Sequence, residues 1–161
     1  MEENKTDLHV IKMVDVSIRH RENPILEKVS FAVKPGEFIY LIGKTGSGKT
    51  SLLRSLYADL AIIEGEGTVA GFNLKIIKQK EIPFLRRKLG IVFQDFQLLT
   101  DRSIASNLTF VMKATGWKNK AKMKSKLAEV LMRVGLGVVA NKMPHQLSGG
   151  EQQRVVIARA L

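Results

Sequence analysis

The chain of 161 residues contains no cysteine, only 6% aromatic residues, and no apolar run near the roughly 18 residues that a membrane-spanning helix requires. The missing cysteines exclude disulfide scaffolds, thiolate metal sites and cysteine nucleophiles. The first ten residues, MEENKTDLHV, are polar and acidic, whereas a secretory signal is basic and then apolar. We therefore expect a cytoplasmic or peripheral protein. The 45% of hydrophobic residues is enough for one core.

Acidic residues are also scarce, since 15 Asp+Glu stand against 26 Lys+Arg and the formal net charge is +11. The excess lies in two basic stripes, residues 75–90 with six basic groups and one acid, and residues 113–126 with six lysines and no acid. Each stripe is either a solvated lysine face or a surface for anionic lipid headgroups. No nucleic acid partner is expected, because Trp117 is the only aromatic residue in the second stripe.

The apolar pattern predicts mostly strands in the first half of the chain and helices in the second. Phe38–Ile42 and Leu89–Phe93 are short, unbroken apolar runs, which are typical of buried parallel strands. Asp101 or Ser103 can cap a helix that runs to about residue 114. The other predicted strands are 8–18, 25–33 and 68–70, and the other predicted helices are 51–60, 119–134 and 148–161.

The strongest motif follows the apolar run at residues 38–42 and matches G-x-x-x-x-G-K-[ST]. Its glycines let the backbone wrap closely around phosphate oxygens, and the helix that follows offers its positive end. Lys49 adds a charge that reaches the β- and γ-phosphates, and the Thr50 hydroxyl can bind Mg²⁺. The sequence therefore predicts a nucleotide-binding phosphate loop (P-loop) formed by Gly43, Lys44, Thr45, Gly46, Ser47, Gly48, Lys49, Thr50 and Ser51. The motif alone does not separate kinases, GTPases and transport ATPases.

A second glycine-containing helix start occurs at residues 147–153, LSGGEQQ. Taken alone, it is either a serine-capped helix after a glycine turn or a second anion site. The longer segment LSGGEQQR…IARAL, however, resembles the signature segment of the ABC (ATP-binding cassette) ATPases. Gln94, in IVFQD, resembles the Q-loop glutamine of the same family. The three motifs occur in the family's order.

The resemblance implies an α/β P-loop NTPase fold, with a mixed sheet core and an inserted helical subdomain. We expect the core at about 1–95, the helical subdomain at about 100–147 and the signature helix at 148–161. Two copies would pair head to tail as a homodimer, with ATP between the P-loop of one and Ser148, Gly149, Gly150 and Gln152 of the other. Gln94 would contact Mg²⁺ and the attacking water, and Lys49 and Gln94 are the candidate catalytic residues. His20 lies near the position where the family has an aromatic residue that stacks on adenine. His20 is therefore either an adenine contact or simply a histidine in an exposed turn.

Two further segments, Glu81–Asp95 and Leu98–Arg102, are similar to the cell-division (FtsE) subgroup of this family. That resemblance implies an integral membrane partner, an FtsX-like permease, and a location on the inner face of the cell membrane. Two alternatives remain. One is the ATPase of a macrolide or lipoprotein exporter, and the other is a truncated ATP-binding module that does not hydrolyse.

The family's next motifs, an apolar strand ending in Asp-Glu and a later histidine, do not occur in the 161 residues. These groups polarise the attacking water and sense the γ-phosphate in the family. We therefore expect the chain to be the front portion of a larger ATPase domain, incomplete at its C-terminus. We also expect this polypeptide alone to hydrolyse ATP very slowly or not at all.

Overall fold

The computed structural model describes residues 9–20 and 23–161. Within these residues, no helix is both long and apolar enough to cross a bilayer. The helices and strands follow in chain order, including one short 3₁₀ helix at Pro144–Gln146: β1 Ile11–His20, β2 Asn23–Val33, α1 Lys49–Leu56, β3 Glu64–Val69, β4 Phe72–Asn73, α2 Ile82–Arg86, α3 Ile104–Ala114, α4 Lys120–Arg133 and α5 Gly149–Ala160.

The described strands form one antiparallel sheet in the order β2-β1-β3-β4. β1 lies between β2 and β3 in this sheet, and its apolar residues Met13, Val16 and Ile18 are all buried. Antiparallel neighbours suit the alternating pattern that predicted β1 and β2. The sheet therefore confirms these two strands, and it extends the predicted short strand at 68–70 back to Glu64.

A bulge interrupts β1 at Asp15. Between Val14 and Ser17, β1 advances by three residues while its neighbour β3 advances by two, from Glu66 to Glu64. The extra residue bends the strand and gives Asp15 a left-handed backbone with φ 49°. Opposite the bulge lies Gly65, with φ +80°, where a Cβ would collide with the carbonyl oxygens of Val14 and Asp15.

Ser30 on β2 holds the bulge from the other side. The Asp15 amide donates a hydrogen bond to Ser30 Oγ at 2.8 Å. The same hydroxyl donates to Asp15 Oδ1 at 3.1 Å. The backbone amide that the bulge removes from the ladder is thereby paired by a side chain.

The described residues divide into two compact units, one ending at Lys88 and the other beginning at Leu89. The first contains the sheet, α1 and α2, and the second contains α3, α4 and α5. The second unit has a core of apolar residues contributed by its three helices and the loops between them. The buried members are Ile104, Leu108, Val130, Leu131, Leu136, Val139, Leu147, Val155 and Ala158.

The helices of the second unit were predicted well. Ser103, rather than Asp101, is the N-cap of α3, and its Oγ accepts from the Ser106 amide at 3.3 Å. The helical spacing predicted for 119–134 is confirmed by α4, which buries Met123, Val130 and Leu131 on one face. Periodicity over three turns is a strong signal, because only one face of the helix can reach the core.

The two predicted buried strands are wrong. Neither Phe38–Ile42 nor Leu89–Phe93 forms a strand. The first run is exposed, with Phe38 80% and Ile42 88% accessible. A parallel strand needs hydrogen-bonded neighbours in the sheet, and the described strands pair only antiparallel in β2-β1-β3-β4. An apolar run predicts burial but cannot by itself provide the neighbouring strand.

Candidate nucleotide-binding site

The loop before α1 has the conformation that its glycines predict. Gly46 and Gly48 adopt left-handed backbones, with φ 82° and φ 84°. Gly48 is also the N-cap of α1, and a Cβ there would lie 2.9 Å from the Leu26 side chain. Gly48 is therefore required both by its φ and by the close approach of β2.

The start of α1 is open. No side chain caps it, and its first turn contains no acidic residue. The first intrahelical bond runs from the Leu52 amide to the Gly48 carbonyl at 2.9 Å. The amides of the first turn precede it, so they have no acceptor within the helix. Thr50 is exposed and Ser51 half-buried in this turn. Uncapped amides and the helix dipole together favour an anion here.

Lys49 folds its side chain back over the loop. Its Nζ donates to the carbonyl oxygens of Gly43 at 2.8 Å and Lys44 at 2.7 Å, and it lies 3.5 Å from Ser47 Oγ. The ammonium group is thus held inside the curve of the loop, beside the open helix start. The remaining loop residues, Lys44 and Thr45, are exposed. This arrangement concentrates positive potential where the motif predicts phosphate.

The start of α5 is closed. Ser148 is its N-cap, and Ser148 Oγ accepts from the Glu151 amide at 3.3 Å. The Glu151 carboxylate in turn accepts from the Ser148 amide at 2.7 Å and from its hydroxyl at 2.8 Å. These bonds form a capping box. The pKa of Glu151 is lowered, first by the backbone amide of Ser148, then by its hydroxyl, with Lys142 and Arg154 adding to the effect.

The other signature residues lie around this box. Gly149 and Gly150 are exposed, and no atom comes within 4 Å of a Cβ built at either. The Gln152 side chain is turned onto its own backbone, where Nε2 donates to the Leu147 carbonyl at 3.1 Å. The backbone at Gly149 and Gly150 is thus accessible, while the Ser148 hydroxyl is already hydrogen-bonded to Glu151.

Gln94 lies in an exposed turn rather than at the end of a strand. The turn is closed by a bond from the Gln97 amide to the Asp95 carbonyl at 2.6 Å. Phe96 and Gln97 have left-handed backbones, with φ 57° and φ 48°. Their carbonyls accept from the Arg159 guanidinium, at 3.0 Å for Phe96 and 2.6 Å for Gln97. Burial lowers the pKa of Arg159, and the Asp95 carboxylate acts in the opposite direction.

Arg159 was missed at the sequence level. One signal pointed to it, because a single arginine interrupts the apolar end of α5, VVIARAL. A charged residue within an apolar helix face usually has a specific partner. The partner itself could not be inferred, since it consists of backbone carbonyls in a distant loop.

The predicted site residues are divided between the two units, and the side chain of one of them, His20, is not described. The P-loop belongs to the first unit, whereas Gln94 and the signature residues belong to the second. His20 ends β1, but its side chain lies outside the described residues, so the predicted adenine contact stays a prediction. Among the described residues, no group of three or more His, Cys, Asp or Glu side chains is placed to hold a metal ion.

Comparison with known proteins assigns the family. Residues 26–161 match the family model described as ABC transporter. The chain belongs to the ABC transporter family. The match includes the P-loop, Gln94 and the signature segment, so the resemblance drawn from these motifs is confirmed. It begins within β2, so the whole of the preceding strand β1 lies outside it.

Several curated members of the ABC transporter family are similar along most of the chain. The cell division ATP-binding protein FtsE of Streptococcus pneumoniae strain D39 is 43% identical over 155 residues, which is 96% of this chain and 67% of that protein. FtsE of Bacillus subtilis is 41% identical over 136 residues, 84% of this chain and 59% of that protein. The methionine import ATP-binding protein MetN 2 of Salmonella choleraesuis is 40% identical over 136 residues, covering 40% of its length. The chain thus spans about two thirds or less of these relatives.

Solved ABC cassettes confirm the predicted fold class. The dimeric structure of MJ0796, a bacterial ABC transporter cassette, matches this chain with a TM-score of 0.84 at 32% identity. The matched region is 94% of this chain and 68% of the MJ0796 chain. A dimeric post-hydrolysis state of MJ0796, bound to ADP and Pi, has a TM-score of 0.82. The cassette cbiO1 of Clostridium perfringens, part of the complex cbiONQ, has a TM-score of 0.85 at 25% identity and covers 62% of that chain.

Proposed function

We propose that the chain is the ATP-binding part of an ABC-type ATPase subunit that couples ATP binding and hydrolysis to a membrane partner. The open, uncapped start of α1 carries this proposal, because it offers unpaired amides beside the Lys49 ammonium group. A triphosphate supplies acceptors for those amides and negative charge for the ammonium. The family match and the FtsE relatives support the same function.

The roles proposed for the site residues are those that the family resemblance implies. The backbone from Gly43 to Ser51 would bind the phosphates, with Lys49 moving from the loop carbonyls to the β- and γ-oxygens. Thr50 and Gln94 would supply a hydroxyl and an amide oxygen, hard ligands that suit a Mg²⁺ ion otherwise bound by water and phosphate. Mg²⁺ would neutralise phosphate charge. Both side chains are exposed and accessible to such an ion.

The signature residues would act across a homodimer. Ser148, Gly149, Gly150 and Gln152 of one copy would cover the γ-phosphate on the P-loop of the other. The exposed glycine surface at the start of α5 supports this role, since no side chain covers its backbone. The dimeric MJ0796 structures are the observation that favours pairing.

The proposed partner is an integral membrane protein of the FtsX type, and the proposed process is cell division. This role is supported by FtsE proteins at 40–43% identity. A transport role is the second candidate, because MetN 2 is 40% identical over 136 residues. Copurification separates the two, since an FtsX-type protein retained by the tagged chain supports the first, and a methionine permease retained instead supports the second.

Anionic lipid is proposed as an additional surface for the two basic stripes. The first stripe is partly engaged within its own unit, because Arg86 donates to the Tyr57 and Ala58 carbonyls and Lys88 donates to the Ala70 carbonyl. In the second stripe, Lys113, Lys118, Lys120, Lys122 and Lys124 are exposed. The second stripe is therefore the better candidate, and its liposome binding must weaken with added salt.

Titration calorimetry with Mg·ATP tests the nucleotide site. Lys49→Ala is expected to abolish measurable binding, because it removes the charge that meets the phosphates. Lys75→Ala is the matched control, since it removes an exposed lysine outside the loop and should bind as the unchanged chain does. Equal affinity of Lys49→Ala and Lys75→Ala would contradict the proposed site. Phosphate release by the 161-residue chain itself is expected to be very slow, since the Asp-Glu and histidine motifs are missing from it.

A further inference from the structure

The turn that carries Gln94 lies against the end of α5 on both of its sides. On the N-terminal side, Gly90 packs against the backbone of Ala160, where a Cβ would lie 2.7 Å from the carbonyl oxygen. On the C-terminal side, the carbonyls of Phe96 and Gln97 accept from Arg159. Two adjacent residues of one helix therefore lie against this turn, Ala160 by a close approach before Gln94 and Arg159 by two hydrogen bonds after it.

The Arg159 contact holds an otherwise unfavourable conformation. A non-glycine residue with positive φ costs on the order of 1 kcal/mol or more, and here two such residues, Phe96 and Gln97, follow each other. The planar guanidinium can donate in two directions at fixed geometry, which a lysine cannot. Hydrogen bonds from a charged donor are also stronger than neutral ones. Arg159 thus selects the conformation of this turn.

Asn107 fixes the chain on the far side of the same loop. Its Oδ1 accepts from the Leu99 amide at 2.7 Å, and its Nδ2 donates to the Leu99 carbonyl at 3.0 Å. Asn107 is only 2% exposed, so these bonds are shielded from water. Between the held points, Gln94 and Asp95 remain exposed. Motion of this loop is consequently restricted to the motion of the helices that hold it.

We propose that Arg159 is the positioning residue for Gln94, and that it makes the Gln94 turn move together with the signature helix. α5 begins at the Ser148 cap and ends beside the turn, and its 12 residues form one rigid rod of about 18 Å. A displacement at Ser148 is thus carried to Gln94 without any change inside the helix. This inference rests on the proposed function, in which Gln94 contacts Mg²⁺ and Ser148 contacts nucleotide.

Four variants of the 161-residue chain test the proposal. Arg159→Met keeps the length of the side chain and removes both donated bonds, and Arg159→Lys keeps the charge without the fork. Arg154→Met is the matched control, because Arg154 is an exposed arginine on the same helix. Gln94→Ala removes the proposed Mg²⁺ ligand itself. Urea unfolding of each variant measures any general loss of stability.

Two measurements separate positioning from stability. The first is amide hydrogen exchange of Gln97, relative to Leu99, which Asn107 holds independently. We expect about tenfold faster exchange of Gln97 in Arg159→Met, as loss of a charge-assisted hydrogen bond implies, with Leu99 less affected. The second is the gain in ATP affinity on adding Mg²⁺, which Arg159→Met and Gln94→Ala should reduce to the same extent. Arg159→Lys should be intermediate, and Arg154→Met unchanged.

The outcomes are distinguishable from those for the proposed function. If Gln97 exchanges equally in Arg159→Met and Arg154→Met, the positioning role is wrong, whatever ATP does. If Gln97 exchange rises but Gln94→Ala leaves the Mg²⁺-dependent gain intact, the Mg²⁺ role of Gln94 fails, and with it the inference. If Gln94→Ala removes that gain and Arg159→Met does not, the inference alone fails. Should Arg159→Met unfold, the Arg159→Lys result decides by the same criteria.

Discussion

The N-termini of α1 and α5 have similar sequences but differ in how they are capped. Both helices begin in a segment of glycine and serine, but α1 has no side-chain cap while α5 has a complete capping box. At the start of α5 the Glu151 carboxylate accepts from the Ser148 amide and hydroxyl, whereas no side chain caps the start of α1. A glycine-rich helix start is therefore not open to an anion by itself, and the proposed contact of Ser148 with a γ-phosphate requires Glu151 to release the serine hydroxyl.

The largest difference between the two starts should appear on adding a methyl group. Gly48→Ala is expected to lower the free energy of unfolding by about 1–3 kcal/mol, because the left-handed φ and the contact with Leu26 both oppose a Cβ. Gly149→Ala is the matched change at α5, where φ is ordinary and the space is open. It should leave stability unchanged or raise it by up to about 1 kcal/mol. Urea denaturation measures both.

Gly48→Ala should also weaken ATP binding, because the loop conformation that Gly48 permits is the one proposed to bind phosphate. Calorimetry on Gly48→Ala at a temperature where the variant is still folded checks this point. An unfolding free energy that fell equally in both variants would remove the distinction between the two helix starts.

A smaller difference is expected from the two serines. Ser148→Ala should cost about 1 kcal/mol of stability, because it removes the cap of α5. Ser47→Ala should cost much less, since Ser47 precedes α1 without capping it and its hydroxyl lies 3.5 Å from Lys49 Nζ. Thermal unfolding of the two variants, side by side, provides the measurement. A loss in Ser47→Ala as large as that in Ser148→Ala would show that α1 is capped after all.

The smallest effect is a pH dependence specific to α5. The folded-state pKa of Glu151 is lowered below its unfolded value, which is about 4.3. Its contribution to stability is therefore fully present above about pH 4.3 and is lost as the pH falls through the lower folded-state pKa. Glu151→Gln should accordingly be less stable than the unchanged chain at neutral pH. The difference should shrink on acidification, as followed by urea unfolding at several pH values, and a constant or growing difference would contradict the box.

The sequence was most informative where a local rule is enough. The spacing of Met123, Val130 and Leu131 placed α4, and the glycines at 46 and 48 predicted the turn that the structure shows. In each case the physical requirement lies within a few residues of the signal. The cap of α3 was narrowed to Asp101 or Ser103 by the same kind of local rule, and the structure identifies Ser103.

Prediction failed where a requirement lies far away in the chain. Phe38–Ile42 has the composition of a buried strand, but whether it becomes one depends on strands beside it. Arg159 and Gln97 are paired through a side chain and a distant carbonyl, a combination without a sequence pattern. Glu151 was visible in the sequence, yet its carboxylate could be assigned to the Ser148 amide only from the geometry.

The bulge in β1 has a consequence for how the sheet can change. Its extra residue, Asp15, leaves no room opposite it for any side chain at position 65. Deleting the extra residue would straighten the strand and relax that demand, whereas replacing Gly65 first would collide with the bulge. A side chain at position 65 is therefore expected to be tolerated only in a chain from which the extra residue of β1 has been deleted.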